Sequence, residues 1–571
     1  MLLQRLSEYA DQLDLPPAMY QSVAIRYVIM LDRAGRYLNI VDRASQKQKS
    51  GVERLAPDCK RSSAIKPKLL ADNAEYVLGI GRPTGDAARV SAQHAAFVEL
   101  VRNCATVTGE PAVEAVARFL AELAPQHLNL PDDFDPGARM TFEVDGSYPI
   151  DLPRVCSYWA SAAAATSDED PLMQCLVCGQ VRPAVERLPI LIKGIPGGQP
   201  MGMTLISANE EAFLSYGLKA SLIAPTCEDC GQRFGNALNA LLQREDTHLK
   251  VPPVVYIFWA REPMEFSLVS MFSQAKPDEV RQFLQAPWHS KPEAAHLDTV
   301  PFYAAALSAS GARIAIRDWI ETTLGETRRH LERYFALQQL VGSDDQTRWF
   351  PLWRLTKATI NSRAKGEEPA PQVVEALLHL ALKGGPLPDW LLYQVIRRIR
   401  AEKEVYPARA ALIKMVLLSQ QSDFEGEDDM AELDLSNRDP AYLCGRLLAE
   451  LENIQEAALG NVNQSIVDRY YGTASSAPAL VFGRLLEGAQ KHLAKLHRDK
   501  PGAYFSLDER LREILSGIDG NTGFPKTLTL RNQGLFALGY YHERVANIRA
   551  AQAKRAAKES SGTPPPPEEQ P

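Results

Sequence analysis

The sequence predicts an α+β N-terminal region carrying a four-cysteine zinc-knuckle element, followed by an all-α C-terminal helical bundle. Three observations predict it. β-Branched and aromatic runs cluster before residue 320, apolar residues recur at i, i+3, i+4 spacing after it, and two C-x-x-C pairs lie inside the first part. At 571 residues the chain exceeds the roughly 250–300 that one core serves, so two or three domains are expected.

In chain order, "MLLQRLSEYADQL" reads as a short amphipathic helix. It carries Glu8 and Asp11 and lacks a basic start or a small-residue cleavage site, so it is not read as an export signal. "VAIRYVIMLDRAGRYLNIVDR" (23–43) has β-forming residues on both sides of Asp32-Arg33-Ala34-Gly35, with Gly35 supplying the positive φ of a tight turn, and predicts a hairpin. Helices are expected near 91–105 and 111–124, a strand near 139–145, a buried strand at 254–260 ("VVYIFWA"), and a second hairpin over 301–319 turning at Ser310-Gly311. These make residues 1–320 one α+β region, with the cysteine knuckles over 175–230.

Residues 321–420 read as a helical connecting region. Residues 421–435, acidic at Asp423, Glu425, Glu427, Asp428, Asp429 and Glu432, read as a linker. A bundle is expected over 436–558. Asp439 caps a helix whose first residue is Pro440, and Leu443, Leu447, Leu448, Leu451 and Ile454 form one apolar stripe ending near Gly460. Further helices are expected near 478–497, 507–516 and 527–557, and the Pro-rich tail 559–571 is expected to be disordered.

Hydrophobic content of 45% and charged content of 23% are those of an ordinary globular protein. No apolar run approaches the roughly 20 residues of a membrane helix, so no membrane partner is expected, and sparse cysteines without an export signal lead to a cytoplasmic location as the expectation. The net charge of −7 argues against a globally basic nucleic-acid binder. From Arg36 to Lys68, however, nine Lys/Arg face three acids. That excess suits a polyanion or, equally, a solvated basic loop.

Eight cysteines are too sparse for a disulfide framework. Cys175 and Cys178 in "QCLVCGQ" match Cys227 and Cys230 in "TCEDCGQ", and both pairs are followed by Gly-Gln. A glycine there lets the chain turn so that N–H groups face the thiolates. Two such knuckles make a tetrahedral four-thiolate site suited to structural Zn²⁺, although the 48 intervening residues exceed the usual spacing. Four cysteines leave no coordination position for water, so the expected metal is a clamp and not a catalyst. A zinc deaminase would need an H-x-E ahead of a P-C-x-x-C, and no H-x-E precedes either cysteine pair in the chain. It also lacks G-x-x-x-x-G-K-[ST], H-E-x-x-H and G-x-S-x-G, so no catalytic residue is assigned. His379 reads as packed or solvent-facing, and Cys59, Cys104, Cys156 and Cys444 as ordinary thiols.

"RSSAIKPKLLADNAEYVLGI" (61–80), "RLPILIKGIPGGQPMGMTLISANEEAFLSYGLKA" (187–220), "ALNALL" (237–242), "GARIAIRDW" (311–319) and "LFALGYYHER" (535–544) resemble the large subunit of the type I-C CRISPR Cascade complex. The resemblance implies a subunit without its own nuclease. Such a subunit recognises the protospacer-adjacent motif, helps open the duplex and form the R-loop, and recruits a helicase-nuclease. The implied partners are a guide crRNA ribonucleoprotein, the backbone Cascade subunits, target double-stranded DNA, the recruited helicase-nuclease, and a small subunit made by internal translation. Met430, just before the bundle, is the candidate internal start, and Met415, inside an apolar helix, is a weaker one.

Such a reader needs phosphate clamps and a few base-reading side chains. Arg61, Lys66, Lys68 and Asn73 are the first candidates, with the alternative that the lysines are solvated and Asn73 caps or turns the chain. Lys193, Gly197, Gly198 and Gln199 form the second, a loop able to approach or wedge beside a base step, or else a plain turn. Asn236 and Asn239 follow the second knuckle and could face the same duplex. Arg531, Arg544 and Arg549 are candidates for nucleic-acid backbone. The alternative function is a stand-alone DNA-acting nuclease with a structural zinc.

Overall fold

A computed structural model describes residues 2–13, 15–17, 19–45, 49–59, 65–82, 86–165, 171–208, 210–214, 216–262, 267–285, 299–361, 363, 366–421, 430–460, 462–520 and 523–560. Arg61, residues 422–429 of the acidic stretch and most of the Pro-rich tail lie outside them. The chain forms two compact units, residues 1–194, 198–240 and 310–315, and residues 195–197, 241–309 and 316–571.

The first unit opens with α1 (Leu2–Tyr9). β1 (Tyr20–Ile25) follows, then β2 (Tyr27–Leu31), β3 (Tyr37–Asp42), β4 (Val52–Pro57) and β5 (Ala71–Asn73). α2 (Ala74–Val77), α3 (Ala87–Thr108) and α4 (Pro111–Ala121) lead to β6 (Arg139–Val144) and α5 (Pro153–Ala165). β1 pairs antiparallel with β4, and a four-stranded sheet runs β3-β2-β6-β5. Its central strands β2 and β6 are parallel, with Ile29 opposite Phe142. Both are buried along most of their length, as strands covered on two faces must be.

The β2–β3 hairpin turns where Asp32 and Gly35 predict. Asp32 Oδ1 accepts the N–H groups of Ala34 and Arg36 at 2.9 and 2.8 Å, and Gly35 has φ +84°. A Cβ on Gly35 would stand 2.5 Å from the Ala115 carbonyl oxygen, so the site needs glycine for space as well as for φ. β7 (Leu172–Gln174), β8 (Val181–Pro183) and α6 (Glu228–Gln243) complete the sequence of elements that carries the cysteines.

In the second unit, β9 (His248–Val251), β10 (Val254–Ala260), β11 (Pro301–Ser310) and β12 (Arg313–Thr323) form an antiparallel sheet in the order β12-β11-β10-β9. β10 is buried at every position, and β11 turns into β12 at Gly311, φ +60°. α7 (Leu268–Ser273), α8 (Pro277–Gln285), α9 (Leu324–Gln338), α10 (Leu352–Lys357), α11 (Pro371–Lys383), α12 (Asp389–Glu402) and α13 (Pro407–Ser419) follow. Between α9 and α10, β13 (Leu340–Val341) pairs with β14 (Thr347–Arg348), strands too short to leave a periodic signal. His379 Nε2 on α11 meets Asp318 Oδ2 at 2.6 Å at the edge of the sheet.

The chain ends in α14 (Pro440–Leu459), α15 (Ile466–Ala474), α16 (Phe482–Asp499), α17 (Pro501–Ser516) and α18 (Leu530–Ser560). Asp439 caps α14 as expected, its Oδ1 accepting from the N–H of Ala441 at 2.8 Å and of Tyr442 at 3.1 Å. All five residues of the predicted stripe are buried. α13 is buried on every face from Ala408 to Ser419, which makes it the central helix of the unit. Its two charges are paired internally, Arg409 with Glu402 at 2.8 Å and Lys414 with the Gln339 carbonyl at 2.8 Å. One contiguous core runs from Val254 to Tyr541, so the C-terminal helices share their interior with the sheet and with α9–α13.

α14 and α18 cross at two glycines. A Cβ on Gly445 would lie 2.0 Å from the Phe536 oxygen, and one on Gly539 would lie 2.2 Å from the Tyr442 oxygen. Backbone touches backbone there. Beside the crossing, fully buried Arg446 holds fully buried Glu543 at 2.8 Å and Glu513 at 3.1 Å. Glu450, one turn further on, accepts from Asn547 at 3.0 Å.

Candidate metal centre and the loop it supports

The two C-x-x-C pairs meet although 48 residues separate them. The first pair occupies the turn between β7 and β8. Cys175 N–H donates to the Gln180 oxygen at 2.9 Å, Gly179 N–H donates to the Cys175 oxygen at 2.9 Å, and Gly179 has φ +74°. The second pair spans the start of α6, where Cys227 immediately precedes the helix and Cys230 lies in its first turn. An isolated bridge between Ala184 and Cys227 ties the two pairs together.

The four sulfurs lie within 4.8 Å of one another. Cys178 Sγ is 4.0 Å from Cys227 Sγ, and the Cys227 N–H points at Cys175 Sγ from 3.4 Å. Four sulfurs bound at ~2.3 Å around one tetrahedral ion would stand ~3.8 Å apart, so the cluster is the size of one zinc site. Cys175, Cys227 and Cys230 are buried and Cys178 is exposed. The Cys230 hydrogen bond draws the Cys227 thiol down to about 5, against its own burial. The same bond and burial push Cys230 upward. Four thiolates this close need a cation to share their charge, and the donor set fits a soft, four-coordinate ion.

The shared glycines do different jobs. Gly179 turns the chain, as the sequence implies. Gly231 is helical, and its missing Cβ makes room for Pro189 Cδ, which would be 2.9 Å away. Gly235, one turn on, clears Ile190 Cβ, which would be 2.6 Å away. The segment 188–190 therefore lies directly on α6.

That contact leads to the Gly-Pro loop. Asn239, on α6 about 13 Å beyond Cys230 at 1.5 Å per residue, accepts the Lys193 N–H at 2.9 Å and donates to the Leu191 oxygen at 3.0 Å. Ile192 and Met203 exchange backbone hydrogen bonds of 2.9 and 2.8 Å at the loop's neck. Lys193, Gly197 and Gln199 are exposed, Gly197 and Gly202 have positive φ, and a Cβ on Gly197 would meet nothing within 4 Å. Met201, which the sequence reading passed over, stands out at 82% exposure. Asn236 is half-buried on the same helix.

The other candidates are placed differently. Lys68 is buried and pairs with Asp58, which also meets Arg139 at 3.5 Å. Asn73 caps α2, its side chain accepting from the Tyr76 N–H at 3.4 Å. Lys66 is half-buried. On α18, Arg531 is exposed and reaches the Leu417 oxygen at 3.4 Å. Arg544 lies 3.8 Å from Glu452 and packs over Tyr540. Arg549 donates twice to the Gly342 oxygen and pairs with Glu432 and Asp345 at 3.2 and 3.3 Å. These partners are far away in sequence, and only the fold brings them in.

Together the geometry defines a mixed α/β protein whose four-thiolate centre anchors one end of a helix, while the other end of that helix braces an exposed glycine-rich loop. The family model described as CRISPR-associated protein (Cas_Csd1) matches residues 2–548. The chain therefore belongs to that family, the large subunits of type I-C Cascade, which are Cascade structural subunits and generally non-catalytic. No curated protein matches the chain significantly. No helix among the described residues is long and apolar enough to cross a membrane.

Proposed function

We propose that this subunit inspects the protospacer-adjacent duplex for a guide crRNA ribonucleoprotein, helps open the target into an R-loop, and leaves cleavage to a recruited helicase-nuclease. The observation that carries the reading is the loop from Lys193 to Gly202. It offers an ammonium for phosphate, an amide for a base edge and an apolar tip on a neck held by Asn239. A reader of this kind works by being rigid before DNA arrives, since ordering a loop on binding costs affinity.

Zn²⁺ held by Cys175, Cys178, Cys227 and Cys230 supplies a charge-neutralising cross-link that fixes the start of α6. It takes no part in chemistry, because the four thiolates fill its coordination. Lys66 and Asn73, with Arg61, remain the second group of proposed contacts. There the buried Lys68–Asp58 pair holds the segment in place while Asn73 Oδ1 serves the helix, leaving its Nδ2 group for a ligand. Of Arg531, Arg544 and Arg549, Arg531 alone has no carboxylate partner among the described residues, which leaves it for nucleic-acid backbone.

We also propose internal translation from Met430. That product would keep the α14–α18 crossing. It would lose α13, whose Ile413 and Leu417 would lie 3.3 and 3.4 Å from a Cβ placed on Gly534 of α18, so its exposed face would need a Cascade partner.

The test uses the chain assembled with guide RNA and backbone subunits, binding duplexes with the natural motif or a scrambled one. Lys193→Ala combined with Gln199→Ala is expected to erase the preference between them. An unchanged preference removes the loop from the proposal, and duplex cleavage by the purified chain alone in Mg²⁺ favours the stand-alone nuclease.

A further inference from the structure

α12 buries one face and leaves the other open. Leu391, Leu392, Val395, Ile396 and Ile399 are buried. Trp390, Tyr393, Arg397 and Arg400 recur at i, i+3, i+7 and i+10 and fall within an arc of about 80° at 3.6 residues per turn. Trp390 is 39% and Tyr393 56% exposed, and both arginines are exposed. Two partly exposed aromatic rings one turn apart, continued by arginines on the same face, make a surface on which flat ligand groups can stack.

The charge pattern states what kind. Among the described residues neither Arg397 nor Arg400 has a carboxylate within ion-pair reach. The two acids of the helix are turned to other tasks, Asp389 accepting from Gln420 at 2.7 Å and Glu402 pairing with buried Arg409 at 2.8 Å. The stripe thus presents two aromatic rings followed by two guanidiniums that have no ion-pair partner among the described residues, along about 15 Å of helix.

We propose that the Trp390–Tyr393–Arg397–Arg400 stripe is a track for a single strand of nucleic acid. Unpaired bases stack on the two rings and phosphates meet the two arginines. A duplex does not fit this chemistry, because its bases are already stacked on one another. The proposal rests on the Cascade reading for its biological setting, where the strand is either displaced DNA or guide RNA, but not for its physics.

The test is anisotropy of labelled oligo-dT and oligo-rU with the full chain. W390A/Y393A is expected to weaken binding roughly tenfold or more, and W390F/Y393F to restore most of it. R397Q/R400Q is expected to lower the slope of log K against log salt by about 1.4. Arg397 and Arg400 are exposed, so R397Q/R400Q is expected to keep the melting temperature, and W390F/Y393F controls for the packing that Trp390, 39% exposed, gives the helix. Tighter oligo-dT binding assigns the strand as DNA and tighter oligo-rU binding as RNA, and either supports the track. Unchanged affinity and salt slope in folded variants overturn it, as does a stripe that captures only protein. If those variants still show motif-dependent duplex binding in the assembled complex, the track alone falls. If the chain never joins the ribonucleoprotein yet its oligonucleotide binding follows the stripe, the Cascade reading falls and the track stands.

Discussion

Replacing Asn239 with alanine is expected to loosen the Lys193–Gly202 loop without unfolding the unit around it. The side chain makes two hydrogen bonds to the loop's neck, to the Lys193 N–H at 2.9 Å and the Leu191 oxygen at 3.0 Å. Each contributes about 0.5–1.5 kcal/mol net, so their loss costs about 1–3 kcal/mol of local stability. The Ile192–Met203 backbone pair remains and keeps the neck closed most of the time. At 1.4 kcal/mol per factor of ten, the open population rises roughly 5- to 150-fold. Hydrogen exchange of a peptide covering 190–203 reads that change directly, because local opening sets the exchange rate there. If rigidity is what the loop needs, motif-dependent duplex binding weakens alongside the faster exchange. Unchanged exchange in N239A would refute the brace, and faster exchange with undiminished motif preference would refute the idea that the brace matters for reading.

The cysteine centre is expected to hold one zinc per chain by elemental analysis, and Cys227→Ser to lose it and raise exchange along α6 from its first turn. Glu450 gives a pH test. Burial, with the negative Glu543 nearby, lifts its carboxyl to about 7, above the ~4.3 of an unfolded glutamate. The folded state therefore keeps a proton that the unfolded state releases, and Glu450 costs stability progressively as pH rises from ~4.3 to ~7, by about 4 kcal/mol at most. Glu450→Gln is expected to be more stable than the parent at pH 8 and similar at pH 4, measured by urea unfolding, and equal effects at both pH values would contradict the shift. Gly445→Ala is expected to cost about 3 kcal/mol, since its Cβ would sit 2.0 Å from the Phe536 oxygen, and a neutral result would show that α14 and α18 can part cheaply.

What the sequence disclosed was local. Turn chemistry at Asp32 and Gly35, the cap at Asp439 and the apolar stripe of α14 each depend on residues within a turn or two of one another, and each appears in the structure. The cysteine quartet was legible across its long gap only because thiolates in repeated C-x-x-C pairs advertise one chemistry. The role of Gly231 was not, since a helical glycine that clears Pro189 looks the same in sequence as one that turns a knuckle. Lys68 reads as a free cation until the fold supplies Asp58, and Arg549 until it supplies Gly342, Glu432 and Asp345. Asn239 carried no signal of its own as a brace. Its partners are backbone groups of a loop 46 positions away, which no side-chain pattern marks.

The proposed subunit grips and reads nucleic acid as part of a Cascade assembly and leaves bond cleavage to another protein. Purifying the chain with guide RNA and the backbone subunits, then presenting motif-bearing duplex and Mg²⁺ without the helicase-nuclease, tests that most directly. The expected result is one stable complex that retains the duplex intact and prefers the motif. Failure of the chain to enter the complex, or scission of the duplex in the absence of any added nuclease, would contradict it.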